Sequence, residues 1–416
     1  QELEWRAGLA TLRYFCGVLQ GAAVFCGDRR AESTEALACP PSMLRIALQS
    51  LAHDRGKLVA SIAGVAFAAT LVLAQVGLYA GFLESSSAVI RYVGGDVWVM
   101  PKGTVVVDNG ERLSAGSREI ASAHPCVKSV RGLVLSFQAL RKPNGSLEAV
   151  QIVGFEPSPE RVLPWAMARG LPQDLHAPGR VAIDRLDVEK LAIEGDPIGA
   201  ELGIGRDSVR VAAITDGIRA FTLAPYVFTE LDTARRLAML GADQSYYWVL
   251  DLARPECTTE VVAAVSRHPD LIARRTEDFQ QLTEDYWVAG SGAGTAIGFS
   301  ALLGLVVGVV IVGQTLYAVT KEHLRELATL KAIGASPAEI VSFVAWQAAF
   351  LALIGGGFGL LMAFGVRSWA VDYGLTIVLS GPVLAVGCGA VLLMCAVASL
   401  WSVRAVMALE AAEVFR

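Results

Sequence analysis

Four stretches of this chain, residues 58–83, 295–319, 341–366 and 376–403, contain no Asp, Glu, Lys, Arg or His. Each is near or above the ~20 residues a helix needs to cross the hydrocarbon core of a bilayer. Backbone polar groups in lipid must be satisfied within the segment, so runs of this length are predicted to be transmembrane helices. The composition agrees. The chain is 54% hydrophobic and 18% charged, with a mean hydropathy of +0.48, whereas soluble proteins carry about 25% charged residues. A net charge of −5 offers no basic surface for nucleic acid.

Basic residues set the expected orientation. Arg45, Arg55 and Lys57 precede the first run, Lys321, Arg325 and Lys331 separate the second from the third, and Arg404 and Arg416 follow the fourth. The loop between the third and fourth holds only Arg367. Positive residues remain on the cytoplasmic side, so both termini are expected in the cytoplasm and residues 84–290 outside the inner (plasma) membrane. The fold class that follows is an α-helical membrane protein with four transmembrane helices. A large α+β extracytoplasmic domain lies between the first two.

Residues 1–41 read as an N-terminal extension of unknown role, and residues 42–57 as an amphipathic helix on the cytoplasmic face, with Leu44, Ile46, Ala47 and Leu51 forming its apolar stripe. In the outer segment, Asp96–Met100 and Thr104–Val107 read as strands and Ser117–His124 as a helix. Val130–Leu140 and Leu147–Phe155 read as a hairpin around Asn144-Gly145. From about 157 to 244, Gly and Pro punctuate short apolar runs (Val181–Ile183, Val209–Ile214, Tyr226–Thr229), which suggests a β-rich insertion. Tyr246–Leu252, Thr258–Arg267 and Leu271–Arg274 follow as strand, helix and strand. Glu277–Trp287 is expected to run as a helix into the second span.

Residues 320–338 form the second charged connection between spans. Leu324, Leu327, Leu330 and Ile333 recur every three residues, with Lys321, Glu322, Arg325 and Lys331 mostly off that face. This predicts a short amphipathic helix stopped by Gly334. Taken alone, it is either a surface anchor or the handle by which a cytosolic partner moves the membrane helices.

Catalytic signatures are missing: no P-loop, no Gly-x-Ser-x-Gly and no His-Glu-x-x-His stretch occurs, and the five histidines lack metal spacing. No catalytic, cofactor or metal residue is expected. Uncharged spans argue against an ion path, and Gln75 and Gln314 read as helix–helix hydrogen-bonding groups. Gly304 and Gly308, with Gly355, Gly356, Gly357 and Gly359, are expected to let helices pack closely. Gly290, Gly292, Gly294 and Gly298 mark a flexible or tightly packed joint. Cys126 and Cys257 share the outer segment, where a disulfide could persist; the sequence does not give their separation, and two unpaired thiols is the favoured reading of the two.

The layout of one outer domain followed by three clustered spans resembles the FtsX-like permeases of ABC transporters, which include MacB and the lipoprotein-releasing LolC/LolE proteins. The specific match is Glu326-Leu327-Ala328-Thr329-Leu330-Lys331-Ala332-Ile333-Gly334-Ala335-Ser336. Ala405–Phe415 is similar to the family's cytoplasmic tail (404–416 here) but lacks its usual proline. Gly94-Gly95-Asp96-Val97-Trp98-Val99 is similar to a run in the DevC-like branch, which pairs with membrane-fusion proteins.

The resemblance implies that residues 320–338 are a coupling helix gripped by a separate cytosolic ABC ATPase, with ATP and Mg in that partner. Lys321, Arg325, Glu326, Leu327, Leu330, Lys331, Ile333 and Gly334 would form the contact. It also implies a permease dimer, homo or hetero, and an outer domain that moves as the ATPases close (mechanotransmission), driving export or extraction. A periplasmic membrane-fusion protein and outer-membrane channel are the further partners it suggests. The alternative is an FtsX-like regulatory scaffold that activates a cell-wall hydrolase without transport.

Overall fold

The computed structural model describes residues 55–158, 163–220, 222–322 and 336–407. The expected extension 1–41, most of the helix expected over 42–57 and the end of the tail lie outside them. So do the coupling-helix residues Arg325, Glu326, Leu327, Leu330, Lys331, Ile333 and Gly334. The chain divides into two compact units. One is built on the long apolar helices; the other comprises Gly81–Thr295 with Val371–Thr376.

Among the described residues, four helices are long and apolar enough to cross a membrane: α1 (Arg55–Ser86), α7 (Ala293–Glu322), α8 (Pro337–Asp372) and α9 (Gly381–Met407). The fourth opens at Gly381 rather than Thr376, with Pro382 in the first turn, where a missing N–H costs nothing. Within the helical unit α1 is the hub. Its Val65, Ala68, Ala69, Val72 and Leu73 are buried, with Val312 and Leu316 of α7, Leu351 of α8 and Met394 of α9 in the same core. Helices in lipid associate through close packing and a few hydrogen bonds, so small residues decide where they meet.

The α+β unit is built on a ten-stranded sheet: β1 (Val97–Pro101), β2 (Val127–Arg141), β3 (Leu147–Phe155), β4 (Met167–Arg169), β5 (Arg180–Asp184), β6 (Glu201–Ile204), β7 (Asp207–Thr215), β8 (Tyr226–Glu230), β9 (Tyr247–Leu252) and β10 (Leu271–Arg275). The order is β10-β1-β9-β2-β3-β8-β5-β7-β4, and β6 pairs with both β2 and β7. The hydrogen-bonded path β2-β3-β8-β5-β7-β6 therefore returns to β2 and closes a small barrel. Val134, Leu140, Val150, Ile152, Val181, Ile183, Val211 and Val227 pack together in one of its cores. The strands expected as a β-rich insertion are thus continuous with the rest of the sheet.

Helices cover the sheet: α2 (Ala88–Val93), α3 (Ser117–Ser122), α4 (Leu231–Leu237), α5 (Thr258–Val265) and α6 (Thr276–Asp285). A methyl on Gly154 of β3 would lie 1.9 Å from Ala234 Cβ, so glycine is what lets α4 lie on the sheet. The Asn-Gly hairpin forms as expected: Lys142 N–H donates to Ser146 O (2.9 Å), with Gly145 at φ +82°. The strand expected at Thr104–Val107 does not form. Thr104 N and Oγ1 both donate to Pro101 O, closing a turn, and a 3-10 turn follows at Val107–Asn109.

The expectation of unpaired Cys126 and Cys257 is overturned: they form a disulfide, Cα–Cα 6.3 Å. Cys126 immediately precedes β2 and Cys257 follows β9, and the Val127↔Leu252 pairing of these strands brings the two together.

Candidate functional site at the domain root

The chain enters the α+β unit through α2 and leaves it through α6, and these two roots meet. α2 ends at Gly94 and Gly95, whose φ of +63° and +84° few other residues adopt cheaply. Thr276, opening α6, donates its hydroxyl to Gly95 O (2.6 Å) and its N–H to Asp96 O (3.2 Å). Asp96 in turn accepts from Leu252 N–H at 2.7 Å. The Arg131 guanidinium, nearly buried, pairs with Asp251 (2.9 and 3.0 Å) and donates toward Val93 O at the end of α2. Further along, Ser87 donates to Glu284 of α6 (2.7 Å), which also accepts from Gln280. Beneath α6, Phe279 packs against Trp98 and Tyr247, with ring centroids 5.5 and 5.9 Å away.

Past α6 the chain winds into a π-helical turn, Tyr286–Gly290. Its Trp287 indole N–H donates to Asp108 Oδ2 (3.3 Å), and Gln151 Nε2 on β3 donates to Asp108 Oδ1 (2.8 Å). Burial pushes the Asp108 carboxyl above its ordinary range, and the hydrogen bonds from Gln151 and Trp287 oppose that rise. The helix expected to continue into the second span is interrupted at Ser291-Gly292, where Gly292 has φ +75°.

Among the sequence-predicted packing glycines, Gly308 and Gly355 sit at tight crossings. Added methyls would lie 2.4 Å from Met394 Sδ and 2.7 Å from Val65 Cβ. Gly304 and Gly356 have ordinary spacing (3.5 and 3.8 Å), and Gly357 has nothing within 4 Å. Gly359, of the same expected patch, is also at a tight crossing, where an added methyl would lie 2.6 Å from Ala69 Cβ; sequence reasoning missed Gly387, where one would lie 2.5 Å from Leu73 Cδ2. Lys321 is exposed near the end of α7. Gln75 Nε2 donates to Ser300 Oγ across α1 and α7 (3.2 Å), as expected, whereas Gln314 is exposed. Among the described residues no group of three His, Cys, Asp or Glu could hold a metal.

Four long apolar helices and a large α+β domain inserted after the first define a multi-pass membrane protein of the permease class. Residues 58–268 match the MacB-like periplasmic core domain, and residues 298–411 match the FtsX-like permease C-terminal region. The chain belongs to the FtsX-like, MacB-type family of ABC transporter permeases, and is the non-catalytic membrane subunit.

Two uncharacterised ABC transporter permeases of Mycobacterium tuberculosis (strain ATCC 25618 / H37Rv) are among its relatives. One is 26% identical over 326 residues, 77% of this chain and 85% of its own. The other is 26% identical over 340 residues, 77% of this chain and 86% of its own. Among solved structures, the periplasmic region of MacB from Actinobacillus actinomycetemcomitans aligns at 14% identity and TM-score 0.35, covering 47% of this chain and 96% of that one. The extracellular domain of YknZ, a noncanonic ABC-type transporter from Gram-positive bacteria, aligns at 12% identity and TM-score 0.33, covering 43% of this chain and 98% of that one.

Proposed function

We propose that this permease couples ATP hydrolysis by a separate cytosolic ATPase to movement of its α+β domain, driving export or extraction of a substrate outside the membrane. The observation that carries this reading is the architecture of the root. The domain is tied to the membrane helices at both ends, and its entry and return segments are cross-linked by Ser87–Glu284 and Thr276–Gly95 contacts. Helix movement therefore has a hydrogen-bonded route into the sheet. The Cys126–Cys257 disulfide supports an extracytoplasmic domain, since such bonds persist in oxidising compartments. Both termini and residues 320–338 then face the cytoplasm.

In this reading Leu327, Leu330 and Ile333 fill a groove on the ATPase, with Glu326 and Lys331 fixing orientation at its rim, Lys321 and Arg325 as further contact residues and Gly334 ending the helix. A dimer of permeases and, as in the DevC-like branch, a membrane-fusion protein complete the complex. The test is Leu330→Asp. A carboxylate in an apolar groove is costly to desolvate, so the variant should insert normally and lose the co-purifying ATPase. Undiminished co-purification would overturn the coupling role.

A further inference from the structure

The two roots of the α+β domain differ in their backbones. On the entry side α1 is one helix as far as Ser86, followed directly by α2. On the return side the π turn Tyr286–Gly290 is closed by Ser291 N–H donating to Tyr286 O (2.8 Å), and Gly292 breaks the chain before α7. A π turn holds one residue more than an α turn. Relaxing it would rotate the following helix by on the order of 100° and shift it by about 1.5 Å, one residue's share of an α-helix. Glycine is needed on the tight side: a methyl on Gly294 would lie 2.6 Å from Val288 Cα, and one on Gly290 3.0 Å from the Tyr286 ring.

Trp287 ties this turn to the sheet through Asp108 and Gln151. Gln151 is fully buried and Asp108 8% exposed, and Gln151 Oε1 is buried with no partner among the described residues. Among the described residues, Asp108 accepts from Gln151 of β3 and from Trp287 of the π turn, and Tyr226 of β8 and Tyr247 of β9 lie in one buried core with the adjacent Val107. Tyr247 itself donates to Val107 O (2.8 Å), fixing the carbonyl beside Asp108. The carboxylate is thus held in a fixed place as an acceptor that the Trp287 N–H either meets or leaves.

We propose that the Trp287–Asp108–Gln151 bridge is a clutch, with Asp108 and Trp287 as positioning residues for the coupled motion. Engaged, it passes displacement of the second membrane helix to β3 and the barrel. Disengaged, the π turn and Gly292 absorb it. Its purpose rests on the coupled-permease reading, but its geometry does not.

The test is hydrogen–deuterium exchange of the full chain in lipid nanodiscs, comparing wild type with Trp287→Phe, which keeps a ring and deletes the N–H. The amides of residues 286–292 should exchange about tenfold faster or more, with β3 and β9 unchanged. Asp108→Asn, which keeps an acceptor oxygen, is the second variant, and local loosening in either one supports the bridge. Unchanged exchange at 286–292 in both, or a rise across the whole sheet in both, overturns it. With the ATPase bound, the nucleotide-dependent exchange change in β3 should vanish in Trp287→Phe; its survival also overturns the clutch. Failure of any ATPase to bind wild type would count against the coupling reading, while the nanodisc comparison still decides the bridge.

Discussion

Replacing Cys126 and Cys257 together by alanine should lower the thermal stability of the α+β domain sharply. The bond joins residues 131 apart. In the chain-entropy picture, closing a loop of that length removes about 5 kcal/mol of conformational freedom from the unfolded state. The folded state should lose little directly. Ala253 N–H still donates to Cys126 O (2.9 Å), Val127 still pairs with Leu252, and both side chains sit in an apolar cluster with Val261 and Leu271. Alanine suits that setting better than serine, which would bury a hydroxyl. At roughly 2–4 °C per kcal/mol for a domain of this size, the midpoint should fall by about 10–20 °C. The assay is thermal unfolding of the full chain in detergent, with a non-reducing gel confirming the bond in wild type. Reduction of wild type should reproduce the variant. A midpoint within about 3 °C of wild type would refute the reasoning, because the unfolded chain would then not be constrained by the bond.

Asp187 should give the domain a pH dependence. Its carboxyl is buried, and that burial raises it to about 6, outweighing Arg219 at 3.4 Å, with Asp184 adding repulsion. A raised carboxyl contributes stability that is complete below the unfolded value of 3.8 and lost as pH rises through about 6. The loss is about 3 kcal/mol between pH 4 and 7, and Asp187→Asn should flatten that part of the curve. In the membrane unit, Gly359→Leu should cost about 1–3 kcal/mol by overpacking against Ala69. Gly357→Leu, with open space beside it, should be tolerated; equal midpoints in detergent would contradict the crossing described here.

What the sequence revealed was local. The four apolar runs, the Asn144-Gly145 turn and the alternation of β2 and β3 each depend on neighbouring residues, and each has its counterpart in the structure. What it concealed was long-range. Cys126 and Cys257 meet only because β2 pairs with β9, and the 157–244 strands join the sheet through the parallel β3–β8 ladder and the β2–β6 pairing. Thr104–Val107 has strand-like residues, but Gly103 at φ +96° turns the chain first. The root bridge was invisible for the same reason. Asp108 and Trp287 are 179 positions apart and form no motif, whereas the glycines at 290–294 at least flagged an unusual joint.

The chain enters the sheet at Val97 and leaves it at Arg275, and these two residues are cross-strand partners in β1 and β10. Entry and exit are therefore about one strand spacing apart, ~5 Å, while the barrel begins at β2, on the far side of β9 from the entry strand. That makes the domain an interchangeable cassette. Barrel loops can lengthen, shorten or be replaced without re-routing a membrane helix, because the splice point is a single pair of neighbouring strands. One set of membrane helices can in this way carry quite different outer heads.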